Sequence, residues 1–103
     1  MEKLKGVHKK YLRGLAHSRK PLVTIGQKGI TPSLFKAIDE ALDTHELIKI
    51  KFNDFKEKEQ KQEVSVMIEK ETGSEMVGMI GHTAIFYRQQ KDAEKRKIVI
   101  PNL

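Results

Sequence analysis

Pro21-Leu-Val-Thr-Ile-Gly-Gln-Lys-Gly-Ile-Thr-Pro-Ser33 holds a strand, a glycine-bracketed loop and a helix start in one short run. Leu22-Val-Thr-Ile25 is apolar and β-branched, as a buried strand requires. The loop is Gly26-Gln27-Lys28-Gly29, after which Thr31 fits an N-cap and Pro32 the first helical position. Two glycines let backbone N–H groups approach a ligand closely, and the adjoining helix N-terminus carries partial positive charge. Lys28 adds a full charge at the tip. A phosphate oxygen is the ligand this chemistry favours.

Working outward, residues 32–44 read as a helix with an inner stripe of Phe35, Ile38 and Leu42, flanked by Leu34 and Ala41. Asp39, Glu40 and Asp43 take outer positions, so only its N-terminal end and Lys36 are expected to face a polyanion. Glu46-Leu-Ile-Lys-Ile-Lys-Phe52 alternates as a second strand, with Ile48, Ile50 and Phe52 on one side and Leu47, Lys49 and Lys51 on the other. Strand, helix and strand in succession predict a parallel pair joined by a crossover. A third helix is expected from Asn53 or Asp54 to Thr72, stopped by Gly73, with Val64, Met67 and Ile68 as its contact face. Its first half, Lys56 to Glu63, is charge-alternating and reads as solvated helix, a disordered loop with a later helix start being the alternative. Met76–Ile80 and Thr83–Arg88 then form a hairpin about Gly81-His82.

Upstream, residues 3–17 read as an amphipathic helix. Leu4, Val7, Tyr11 and Leu15 form its inner stripe, widened by Leu12 and Ala16, while Lys9, Lys10, Arg13 and His17 gather on the outer side. The expected order is α-β-α-β-α-β-β. That is an α/β fold of the α+β two-layer kind, with a small mixed four-stranded sheet and about three helices. Residues 1–90 make one domain, and 91–103 a polar, basic C-terminal tail.

The charge is unevenly placed. The chain of 103 residues has formal net charge +6, and residues 1–20 alone account for it, with seven basic side chains against Glu2. The other 83 residues hold thirteen basic and thirteen acidic side chains. An asymmetry of this kind points to a polyanionic partner rather than to a membrane, since no apolar run approaches a membrane span. No cysteine is present, which excludes disulfides and thiolate metal sites and makes a cytoplasmic location the expectation. Nothing in the sequence calls for a cofactor or a metal, and a monomer is expected.

The glycine loop is not a nucleotide-hydrolysing phosphate loop, which needs four residues between its glycines and then Lys-Ser/Thr. Nor is G-x-x-G distinctive by itself, because Gly78-Met-Ile-Gly81 matches too and reads as strand and hairpin. Context separates Gly26–Gly29: a strand before, a capped helix after, a lysine inside and the basic helix upstream. Lys49 and Lys51 extend the basic surface or are the wet face of an edge strand. Tyr87-Arg88 ends the last strand with a stacking group and a guanidinium, Arg88 being the better candidate for RNA. A ribonuclease using His8 or His17 as base, a DNA-binding module and a protein-interaction domain remain alternatives.

Leu12-Arg-Gly-Leu-Ala-His17, Lys20-Pro21, Ile25-Gly-Gln-Lys-Gly-Ile-Thr31, His45-Glu-Leu-Ile-Lys-Ile-Lys51, Glu71-Thr-Gly73, Ile80-Gly-His-Thr83 and Tyr87-Arg88 occur in a recognisable order. With these motifs the chain resembles bacterial stand-alone CRM-domain proteins of the YhbY type, over about residues 5–88. The resemblance implies a fold similar to the C-terminal domain of translation initiation factor three. It also implies a non-catalytic RNA-binding protein acting in assembly of the large ribosomal subunit, on ribosomal RNA. The family's glycine loop matches Gly26, Gln27, Lys28 and Gly29, with Thr31 beside it. Its basic surface matches Lys9, Lys10, Arg13, His17, Arg19 and Lys20. No role is implied for Lys95, Arg96 or Lys97.

Overall fold

Strict alternation in one central strand decides how the sheet is built. In the computed structural model, which describes residues 4–26, 29–53 and 57–101, the elements are α1 (Gly6–Ala16), β1 (Val23–Ile25), α2 (Pro32–His45), β2 (Leu47–Phe52), α3 (Lys58–Thr72), β3 (Glu75–Ile80) and β4 (Thr83–Tyr87). A 3-10 turn follows at Ala93–Lys95. β1 pairs with β2 in parallel, Val23 opposite Ile50 and Ile25 opposite Phe52. β2 and β3 both pair antiparallel with β4, giving the order β1-β2-β4-β3. The element order and the mixed four-stranded sheet are those the sequence predicts.

The expected side chains meet on one face. Ile48, Ile50 and Phe52 join Val23, Ile25, Ala84 and Phe86 against Ile38 and Leu42 of α2 and Ile68 of α3. Each of these side chains larger than alanine contributes about 1.5–3 kcal/mol on burial. The other face is apolar too. Leu47, Val77, Ile85 and Tyr87 are covered by Leu12 and Ala16 of α1 and by Ile98. The two-layer expectation is therefore corrected: α1 forms a third layer over β2, β4 and β3, because the alternating strands carry apolar side chains on both faces.

α1 is also turned about its axis relative to the stripe expected from sequence. Leu12 and Ala16 are its buried seam, whereas Val7 is 49% exposed. Lys9 and Arg13, expected outside, face β3 instead: Lys9 Nζ lies 3.5 Å from Glu75, and Arg13 Nη1 donates to the Val77 carbonyl at 2.8 Å. Gly78 makes this possible. A Cβ there would stand 2.5 Å from Arg13 Cδ, so the missing side chain is the slot in which the arginine stem lies.

α3 begins at Lys58, later than Asn53, while Asp54 falls outside the described residues. Its inner face is Lys61, Ser65, Ile68 and Thr72; of the expected Val64, Met67 and Ile68, Ile68 is buried as expected, whereas Met67 is half exposed. Val64 still packs against the core edge. Lys61 reaches across the hairpin, donating to the Gly81 carbonyl at 3.3 Å and lying 3.1 Å from His82 Nδ1. The turn itself is as expected, with Gly81 at φ 60°. Gly73 ends α3 at φ 68° in the left-handed region.

Glu46 anchors the segment beyond β4. It ends α2 at φ 63°, a strained value for a non-glycine residue, and is buried. Its carboxylate accepts the amides of Gln90 (2.8 Å), Lys97 (2.6 Å) and Ile98 (2.9 Å). Charge-assisted bonds of this kind compensate the desolvation of a buried carboxylate. They also seat Ile98 in the second core. Nearby, Tyr87 is fully buried and its hydroxyl has no partner among the described residues. Burial, then the Glu46 charge, push its pKa up to about 12, against a smaller lowering by Arg96.

Two outcomes follow from this packing. Gly78→Ala should displace the Arg13 stem and lower stability by about 1–3 kcal/mol, read as a lower urea midpoint at unchanged m-value; an unshifted midpoint refutes the slot. Tyr87 ionises more easily unfolded, near 10, than folded, so its contribution is full below about pH 10 and is lost as pH rises toward 12. Stability should fall there by up to about 1.4 kcal/mol per pH unit. In Tyr87→Phe that alkaline loss should shrink; a loss of the same size in the variant assigns it to other groups.

Candidate nucleic-acid interface

The sheet separates the charges of the fold. α1, on one face, carries Lys9, Lys10 and Arg13 and no acid. α2 and α3, on the other, carry four basic and seven acidic side chains. α1 covers only part of its face, because it leans toward β3 and β4. What it leaves open is the edge formed by β1 and the adjoining side of β2. Thr24 and Lys51 are Cα partners there and are both exposed, while Val23 and Ile25 point into the opposite core. The same alternation that buries Ile48, Ile50 and Phe52 thus presents Lys49 and Lys51 on the uncovered side.

The connection from α1 to β1 is stapled across β2 by two cations. Arg19 Nη1 donates to the Leu47 carbonyl at 2.8 Å. Lys49 Nζ returns to the carbonyls of Arg19 (2.9 Å) and His17 (3.4 Å). Their partners are neutral backbone oxygens, so the positive charges are fixed in place without being cancelled. Lys20 and His17 are exposed along this connection, and Lys10 points outward from α1 beside Val7 and Gly14.

At the far end of β1 the chain turns through the glycine loop. The Gly29 amide donates to the Gly26 carbonyl at 3.0 Å, and Gly29 sits at φ 69°, a conformation that favours glycine. A Cβ at either glycine would meet nothing within 4 Å, so the backbone here is open to approach. Gln27 and Lys28, expected at the tip, lie outside the described residues. Thr31 caps α2 as expected, its Oγ1 accepting the Leu34 amide at 3.2 Å. Its carbonyl takes the amides of Leu34 and Phe35, and Pro32 has none. The first turn of α2 therefore has the Ser33 amide left to offer an anion.

The structure brings together Gly26, Gly29, Thr31 and Lys51 at one end of β1, and His17, Arg19, Lys20 and Lys49 at the other. Lys10 stands above on α1. It does not bring Lys9, Arg13 or Arg88 to the same surface. Lys9 and Arg13 are turned onto β3, as described. Arg88 is held on the opposite side, where it pairs with Asp39 and with Asp43 (2.9 Å) and donates to the Thr72 carbonyl at 2.7 Å. Two carboxylates there cancel its charge. The acidic outer positions on α2 were legible in the sequence; that they would meet the last residue of the hairpin was not. Among the described residues no group of three or more His, Asp or Glu is placed to hold a metal ion.

Comparison with known proteins identifies the family of the chain. The model of the CRS1 / YhbY (CRM) domain matches residues 4–88. An RNA-binding protein of Haemophilus influenzae is 38% identical over 101 residues, 98% of each chain. A Bacillus subtilis relative, named "Probable RNA-binding protein YqeI", is 35% identical over 98 residues, covering 95% of this chain and 99% of its own. A solution structure of a Staphylococcus aureus protein superimposes with a TM-score of 0.78 at 34% identity, over 94% of this chain and all of that one. With a family model spanning most of its length and relatives matched end to end, the chain belongs to the CRS1/YhbY (CRM) domain family.

Proposed function

We propose that this protein binds structured RNA without cleaving it, gripping the sugar-phosphate backbone along the uncovered β1 edge and at the glycine loop. The observation that carries this is the open basic strip between α1 and β1. Arg19 and Lys49 in it are held by backbone carbonyls, and it lies on the face away from the acidic helices. Phosphate contacts of this kind supply affinity and steering but little sequence information. Tyr87 is buried in the core, so base stacking from the strand the sequence singled out plays no part. Shape of the RNA then dominates recognition. The names of the relatives, which are those of RNA-binding proteins, support the same partner.

The finer reading is a cytoplasmic assembly factor acting as a monomer on ribosomal RNA, in precursors of the large subunit. The family resemblance supports it. Fluorescence anisotropy with labelled large-subunit rRNA fragments, small-subunit fragments and duplex DNA tests both levels. Binding to the large-subunit fragments should be tightest and should weaken steeply with salt. Lys51→Glu should weaken it about tenfold, and Lys10→Glu should weaken it less sharply. Equal affinity for duplex DNA would replace RNA by nucleic acid in general. Shortening of the RNA over time would make the protein a nuclease.

A further inference from the structure

β2 outruns its parallel neighbour. β1 begins at Val23, opposite Ile50, and Leu22 adds one more bond to the Lys49 carbonyl. Beyond that point no strand among the described residues covers this edge of β2, and the Leu47 carbonyl is taken by Arg19 instead. A cleft of about 310 Å³ opens there, floored by Leu47 and Ile48. Four cationic side chains line it, Arg19, Lys20, Lys49 and Lys97, together with the imidazole of His45. No carboxylate is among its lining residues. The nearest acid in sequence, Glu46, is buried and already accepts three amides.

We propose that this cleft is a second phosphate site, one that receives a backbone phosphate of the same RNA strand held at the glycine loop. The inference rests on the RNA-binding reading above and extends it to the C-terminal segment. Cations convergent on a walled cleft focus the field that attracts an anion. Arg19 and Lys49 are pre-oriented by carbonyl bonds, so little side-chain entropy is lost when the anion arrives. Lys97 is brought to the wall because Glu46 holds its amide at 2.6 Å. The buried carboxylate therefore positions a cation without lining the site. From Leu22 to Gly26 is four residues of extended chain, roughly 13 Å at about 3.3 Å per residue. A strand running along β1 past Lys51 reaches both ends within a few nucleotides.

The test compares three charge-reversal proteins with the parent, using a fluorescein-labelled RNA hairpin in anisotropy across a salt series. Lys20→Glu with Lys97→Glu changes the cleft at two exposed side chains. Lys58→Glu with Lys70→Glu makes the same change in net charge on exposed positions of α3. Lys51→Glu reports on the RNA reading itself. Expected is a loss of about tenfold or more for the cleft pair, with a salt slope shallower by about two units, and little change for the α3 pair. Equal losses in both pairs attribute the effect to net charge and overturn the cleft. Full affinity in the cleft pair with a loss in Lys51→Glu overturns the cleft and leaves the RNA reading standing. No binding by the parent removes both. Amide shifts at Leu22 and Lys49 on adding inorganic phosphate, with RNA affinity unchanged in the cleft pair, reduce the cleft to a free-ion site and also overturn the proposal.

Discussion

β2 carries two incompatible demands at once, and the fold follows from how they are reconciled. It is a central strand, paired in parallel on one side and antiparallel on the other. Both of its faces must therefore be covered or made polar. Ile48, Ile50 and Phe52 are buried under α2 and α3. On the second face Leu47 is buried under α1, whereas Lys49 and Lys51 lie beyond its reach. A one-residue slip in register would bury two lysines and expose three large apolar side chains, which fixes the pairing. The strand that closes the core is thus the strand that presents the charge.

The position of α1 sets how much of that face stays open. It is drawn toward β3 by the Leu12 and Ala16 seam and by Arg13 lying over Gly78. Placed there, it cannot cover β1. The C-terminal segment completes the same layer through Ile98, held by the Glu46 carboxylate. Opposite, α2 and α3 gather the acids, and Arg88 is spent on Asp39 and Asp43. Charge separation across a thin sheet orients the molecule toward a polyanion before any contact is made.

Elements with a clear period were legible in the sequence. The alternation of residues 47–52, the Thr31-Pro32 helix start and the Gly81-His82 turn each announce one structure, and each is found. The phase of α1 was not legible, because its apolar residues occupy most of the wheel and Val7–Tyr11 reads as well as Leu12–Ala16. What decided between them is long-range: a glycine sixty-odd residues away that admits an arginine stem. Likewise Lys61 reads as solvated until the hairpin is placed beneath it, and Glu46 reads as a strand residue until three distant amides converge on it. Long-range partners of charged residues do not show in local periodicity. For that reason the lysines on the regular strand were placed correctly on its wet side, whereas Lys9, Arg13 and Arg88 turned out to hold the fold together.

The central claim is that RNA lies along the β1 edge, between the glycine loop and the Arg19–Lys49 staple. Amide hydrogen exchange of the parent protein, with and without a bound large-subunit rRNA fragment, tests it most directly. Added protection is expected in residues 17–31 and 49–51, with α2 beyond its first turn and all of α3 unchanged. Protection centred on α3, or on the outer face of α2 around Asp39 and Asp43, would contradict it.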